Sequence, residues 1–331
     1  MKKNGRVVGV GSALVDLLLH EDEVFVSRLT GAKGGMTYVE AEFAQTVLDQ
    51  SAAQATIVPG GSACNTIVGI GRLGGSCRMI GKLGRDELGE FFARGLSANS
   101  VEPVLTYSDT PTGRVLSIIT PDAERTMFTC LGASAEMTSA DVDPAGLADA
   151  DIVHAEGYLL FNHDLIKDVL QKAKAAGALI SLDLAAYTVV EASQAYLGQL
   201  VEEYVDILIA NEDEARVFTG HTEEEKALAT LADRSAYAVL KLGKRGSLIA
   251  HDGEVVEVAA QGDGHAVDTT GAGDLWASGF LYGLTHGMNL EQAGWLGSAC
   301  GYEVCQVSGA AIPDDGWARI NSLRDELLGS D

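Results

Sequence analysis

The chain alternates short apolar runs with stretches of helical spacing from about residue 150 onward. Asp151–His154, Leu179–Leu184 and Asp206–Ala210 are brief runs rich in Ile, Val and Leu. Asp164–Ala176 and Glu212–Phe218 carry the 3.6-residue period between and after them. Strands separated by helices predict βαβ units and a parallel sheet covered on both faces. Val7–Val10 reads as a first strand of that sheet. Tyr237–Lys241, Ser247–His251 and Val255–Ala260 follow one another across glycine-containing turns, which predicts that the sheet ends in antiparallel hairpins. Three helices, Ala272–His286, Leu290–Val304 and Asp314–Leu327, close the chain.

The N-terminal part has another rhythm. Ala13–Leu19, Gly35–Glu40, Thr112–Thr120 and Arg125–Leu131 read as strands without intervening helices, with polar residues on alternate positions. They predict a small sheet standing off the main domain, built from insertions at approximately 13–40 and 104–131. Such a sheet is well placed to cover a ligand site.

Composition narrows the chemistry. With 331 residues, 47% hydrophobic content and 39 glycines, the chain suits a well-buried α/β protein with many tight backbone approaches. A net charge of -24 argues against a nucleic-acid partner and suits a soluble cytoplasmic protein. The five cysteines, at 64, 77, 130, 300 and 305, have no CxxC spacing and read as reduced thiols. No apolar stretch approaches the ~18 residues of a membrane span.

The strongest chemical signal is DTTGAGD at 268–274, leading into an apolar helix. Gly271 and Gly273 allow a tight turn, so the amides of Gly271, Ala272, Gly273 and Asp274 sit at a helix N-terminus where the dipole favours an anion. An acid at the fourth of these positions can take a proton from an attacking hydroxyl. The plainer alternative is that Asp268 and Thr269 cap an ordinary helix. Competing phosphate motifs are incomplete. Gly9-Val10-Gly11 lacks the third glycine of a dinucleotide fingerprint, and Leu83 follows Gly81-Lys82 where a P-loop needs Ser or Thr. A second signal, GGSACN at 60–65, exposes backbone amides and offers Asn65 as donor and acceptor to a polyhydroxy ligand, or else is a turn into a core helix at Thr66–Leu73. Asp16 interrupts an apolar strand, either as a solvated residue or as an acceptor for two hydroxyls.

Taken in order, GGSACNTIVGIGRLGG (60–75), GKLGRDELGE (81–90), ANEDEA (210–215), LKLGKRGSL (240–248) and DTTGAGDLWASGF (268–280) resemble the landmarks of the ribokinase/PfkB carbohydrate and nucleoside kinases over nearly the whole chain. The resemblance implies one ribokinase-like domain spanning 1–331, a three-layer α/β/α fold with a mostly parallel central sheet and a β-sheet lid. It further implies an ATP-dependent kinase acting on a CH₂OH group. Carried over by position, Asp274 is the catalytic base, and Gly271, Ala272 and Gly273 form the anion hole. Asp16, Gly60, Gly61, Asn65 and Glu156 contact the acceptor. Asn211, Lys241, Gly243 and Gly246 border ATP; Asn211 and Glu214 organise Mg²⁺ largely through water; Asp268 and Thr270 fall where many members hold K⁺. Arg125 on a lid strand is within reach of the phosphoryl group, or is a surface arginine. GSALVD (11–16), PTGR (111–114) and ERTM (124–127) resemble the adenosine kinase branch, with Leu14, Met36, Tyr38 and Phe128 as candidates for an apolar slot. Ser12 departs from it, standing where an amide side chain is usual. The expected acceptor is therefore a nucleoside, with a simple sugar as the alternative. A non-catalytic nucleoside- or nucleotide-binding relative and a nicotinamide dehydrogenase are the readings from other classes. A monomer or a lid-mediated homodimer is expected.

Overall fold

The computed structural model describes residues 5–29, 31, 33–122, 124–262 and 264–329. The chain begins β1 (Arg6–Val10), β2 (Leu14–His20), α1 (Glu23–Val26), β3 (Met36–Tyr38), α2 (Ala41–Gln50), β4 (Thr56–Gly60), α3 (Ser62–Arg72), β5 (Ser76–Gly84), α4 (Glu87–Ala98) and β6 (Glu102–Ser108). β7 (Gly113–Ile119), β8 (Arg125–Cys130), β9 (Ile152–Glu156), α5 (His163–Ala176), β10 (Leu179–Asp183) and α6 (Tyr187–Tyr204) follow. Then come β11 (Ile207–Asn211), α7 (Glu212–Thr219), α8 (Glu224–Ala232), β12 (Tyr237–Lys241), β13 (Ser247–His251) and β14 (Glu254–Val258). Helices α9 (Ala272–Thr285), α10 (Leu290–Val304) and α11 (Asp314–Gly329) end it.

The large sheet has the order β14-β13-β12-β11-β10-β9-β1-β5-β6. It is parallel from β6 to β12 and antiparallel across β12, β13 and β14, as the closely spaced hairpins predict. Its strands are apolar on both faces because both are covered. Val7, Ile152, Ile207 and Val239 pack with α3, α9 and α10 on one side. Val8, Val153, Ile180 and Leu208 pack with α5, α6 and α8 on the other. From β1 the strands run outward in two directions, through β5 and through β9. The sheet therefore has its topological switch point between β1 and β9, where α/β folds open a crevice beyond the strand ends.

The small sheet has the order β3-β8-β7-β2-β4. Three findings differ from the sequence-based expectation. The helices α1 and α2 do intervene between its strands, and β4 is a fifth strand. Val104–Ser108, assigned above to the second insertion, belong to β6 and pair with β5 in the large sheet. Alternation decides the rest. Leu17, Leu19, Leu116, Ile118 and Phe128 face a core shared with Val26, Ala44 and Val47 of α1 and α2. The intervening residues are left for the opposite face. Among the described residues no helix is long and apolar enough to cross a membrane.

Candidate active site

A cavity of about 830 Å³ opens at the switch point, between the strand ends and the small sheet. The carboxyl ends of the central strands supply Ser12, Glu156, Asp183, Asn211 and Lys241 to its wall. The first turns of α3 and α9 supply Ser62, Asn65 and Gly271–Asp274, and the small sheet supplies Asp16, Ser117, Arg125 and Thr129.

Helix α9 starts on Gly271, whose φ of 72° is left-handed, and no side chain caps it. The expected anion hole needs one correction, because the Ala272 amide donates to the Thr269 carbonyl at 3.2 Å. Among the described residues no hydrogen bond from the Gly271 or Gly273 amide is found, so these two remain for an anion at the positive end of the helix. Lys241 stands beside them: a Cβ on Gly273 would lie 2.9 Å from its Nζ.

Asp274 is half-buried in the cavity wall. Ser62 Oγ donates to its Oδ1 at 2.7 Å and Asn65 Nδ2 to its Oδ2 at 2.9 Å. Burial pushes this carboxyl upward; the Asn65 and Ser62 donors oppose the rise, Asp183 adds to it, and Lys241 opposes it. The Lys241 ammonium pairs with Asp183 Oδ2 at 2.7 Å, and Asp183 Oδ1 accepts from the Ala185 amide at 3.0 Å. Burial pulls Lys241 down, but the charges of Asp183 and Glu214 outweigh it and the group is held above its usual range. Asp183 and Ser62 were not singled out from the sequence. The available signal for Asp183 was its position at the carboxyl end of a parallel strand.

Asp16 is only 8% exposed, and among the described residues no hydrogen bond to its carboxylate is found. Burial raises it to about 7 against the pull of Arg125, and Asp274 and Asp268 add to the rise. Gly60 does not line the cavity; it lets β4 pass against the Asp16 carboxylate, which a Cβ there would strike. Gly61 has φ 101° and lies against the Ser12 carbonyl, so the chain enters α3 at Ser62, earlier than the expected Thr66. Glu156 is fully buried, and both its oxygens are engaged by backbone amides, Ser12 at 2.8 Å and Ala63 at 3.0 Å. Burial still holds it above its usual range.

Leu14, Met36 and Tyr38 line the cavity, with Met36 44% and Tyr38 54% exposed. Phe128 does not; it points to the other face of β8 and packs on Phe43, ring centroids 5.0 Å apart. Asn211 and Glu214 form a capping box at the start of α7, and Glu214 is buried and driven upward by desolvation against the pull of Lys241. Among the described residues no group of three His, Cys, Asp or Glu side chains could hold a metal ion. Asp268 accepts from Thr270 N at 3.0 Å, Thr270 Oγ1 at 2.7 Å and Gly309 N at 2.8 Å, with Arg125 Nη1 3.8 Å away. The K⁺ site expected at Asp268 and Thr270 includes carbonyls near Val304 and Gly309, and here Asp268 also accepts from the Gly309 amide. Gly243 and Gly246 lie in the turn between β12 and β13, outside the cavity wall.

The family described as pfkB family carbohydrate kinase matches residues 36–316. The fold superposes on adenosine kinase from Sinorhizobium meliloti with a TM-score of 0.87 and 32% identity, covering 98% of this chain and 99% of that one. A "probable sugar kinase protein" from Rhizobium etli CFN 42 gives 0.88 and 32% over the same shares. Ribokinase from Lactococcus lactis is 28% identical, covering 82% of this chain and 86% of the relative. Fructokinase from Escherichia coli is 26% identical, covering 69% and 77%. The chain belongs to the pfkB family of carbohydrate kinases, and it is a phosphotransferase acting on a small sugar or nucleoside.

Proposed function

We propose that the protein transfers the γ-phosphoryl group of ATP to the primary hydroxyl of an adenosine-like nucleoside, with Asp274 as base. The observation that carries the acceptor is the pairing of a bare carboxylate, Asp16, with an apolar wall of Leu14, Met36 and Tyr38 in one cavity. Asp16 accepts from two ribose hydroxyls, and the exposed apolar side chains cover a flat base. A simple sugar would use the first and leave the second in water. The hydroxymethyl oxygen attacks in line while Asp274 takes its proton. The amides of Gly271 and Gly273 and the Lys241 ammonium receive the charge on the phosphoryl oxygens. Glu214 and Asn211 would hold Mg²⁺ through water, and the ion would supply positive charge against the phosphate chain. The small sheet serves as the lid, excluding water.

A hexose or pentose acceptor is the second reading, favoured by the relatives named fructokinase and ribokinase. A coupled ATP-consumption assay with adenosine, other nucleosides, fructose and ribose decides between them. We expect kcat/KM for a nucleoside to exceed that for either sugar by about tenfold or more. The reverse order overturns the nucleoside assignment, and no turnover of any of them overturns both.

A further inference from the structure

We infer that Ser62 is a positioning residue for phosphoryl transfer: its hydroxyl, at the first turn of α3, fixes the Asp274 carboxylate in orientation and in charge. The inference rests on Asp274 acting as the base and goes further by naming what holds it.

An acid at the third position of a helix ordinarily turns back to the amides of its own first turn. Glu214 does so in α7, bonding the Asn211 amide at 2.8 Å. Gln292, the amide counterpart, does so in α10, accepting from the Asn289 amide at 3.0 Å. Asp274 occupies the same position in α9 but does not. Its carboxylate leaves its own helix, and both donors to it lie on α3. Ser62 is likewise released from capping, since Gly61 begins α3 without a side-chain cap. Its hydroxyl spans 212 residues of sequence to reach Oδ1. One turn later Thr66 Oγ1 donates to the Asp274 carbonyl at 3.1 Å. Gly69 then brings α3 against Ser278 of α9, where a Cβ would strike the serine hydroxyl. Four contacts thus hold α3 against α9, with Ser62 at the end that faces the cavity.

The charges around Asp274 explain why a donor matters there. Lys241 from β12 favours the ionised form, but it is paired with Asp183 from β10, which opposes it. Asp16 from β2, Glu156 from β9 and Glu214 from α7 are further carboxyls coupled to Asp274. A hydroxyl donating to the ionised carboxylate counters that crowding without adding charge. Asn65 also donates, and the family resemblance implies that it contacts the acceptor as well. Its replacement moves acceptor KM and kcat together, whereas Ser62 acts on turnover alone.

The test is Ser62→Ala in the full chain, read by the pH dependence of kcat. We expect kcat at neutral pH to fall about tenfold and the acid limb to move up by about one pH unit, because a carboxylate that loses a donor ionises later. Acceptor KM should stay within about twofold, and Ser62→Thr should restore the wild-type limb. Should the alanine variant fold poorly, Ser62→Cys, with its weaker donor, gives the same readout. An unmoved kcat and acid limb in a variant with a native thermal melt overturn the inference. A rise in acceptor KM alone also overturns it, by making Ser62 an acceptor contact. If Asp274→Asn is inactive while Ser62→Ala behaves as wild type, only the positioning role fails; if Asp274→Asn turns over normally, the base assignment fails first.

Discussion

Within one cavity Asp274 has a donor on each carboxylate oxygen, while among the described residues Asp16 has none. Burial pushes both upward; hydrogen-bond donors and the charge of Lys241 oppose the rise at Asp274, whereas at Asp16 the charge of Arg125 opposes it without a donor. The contrast separates two tasks. The group that must do chemistry is held before any ligand arrives, which is what a preorganised reacting centre requires. The group that must recognise a ligand keeps its hydrogen-bonding capacity for that ligand, at a desolvation cost that binding offsets. The walls repeat the division. Around Asp274 they are backbone amides and an ion pair, and on the small sheet they include exposed Met36 and Tyr38.

The largest effect that could break this contrast is Asp274→Asn. It should lower kcat by about a thousandfold with the fold retained, as checked by steady-state rates and a thermal melt. Near-normal turnover would remove the chemical end altogether. Asp16→Asn comes next and should lower acceptor kcat/KM by about a hundredfold while leaving ATP KM unchanged. It also has a signature in stability. A carboxyl raised from 3.8 unfolded to about 7 folded penalises the folded state, starting above the unfolded value and complete above the folded one. The penalty is on the order of 4 kcal/mol. Asp16→Asn should therefore stabilise the ligand-free protein at pH 8, less so at pH 5, and not at pH 3, as urea midpoints would record. An equal shift at all three would mean that Asp16 is already paired. The smallest effect is that of Tyr38→Ala, which should reduce the preference for nucleosides over sugars by about tenfold with little change in melting temperature. An unchanged preference would assign Tyr38 to packing and weaken the recognition end.

Much of this was legible from pattern and glycine placement. Strand β12, strand β13 and helix α10 have the limits their periodicity predicts. The 268–274 segment announces a helix start because two glycines and an acid stand where the apolar run begins. What was hidden depends on contacts distant in sequence. Ser62 lay inside a quoted motif, but its partner is in another helix, and Asp183 sits in an apolar run that reads only as strand. Phe128 could line the slot or pack within the small sheet, and it packs, since alternation fixes which residues share a side but not which side meets the ligand. Val104–Ser108 of β6 were misplaced because a half-exposed edge strand lacks the continuous apolar run that marks the inner strands of the large sheet.

Glu156 joins two crossings of the chain. One oxygen holds Ser12, between β1 and β2, and the other holds Ala63, just past the step from β4 to α3. A single fully buried side chain thus ties together two of the crossings between the large and small sheets, like the pin of a hinge. A tilt of the small sheet about that pin would carry its far strands β3 and β8 furthest and Asp16, on the strand that leaves Ser12, least.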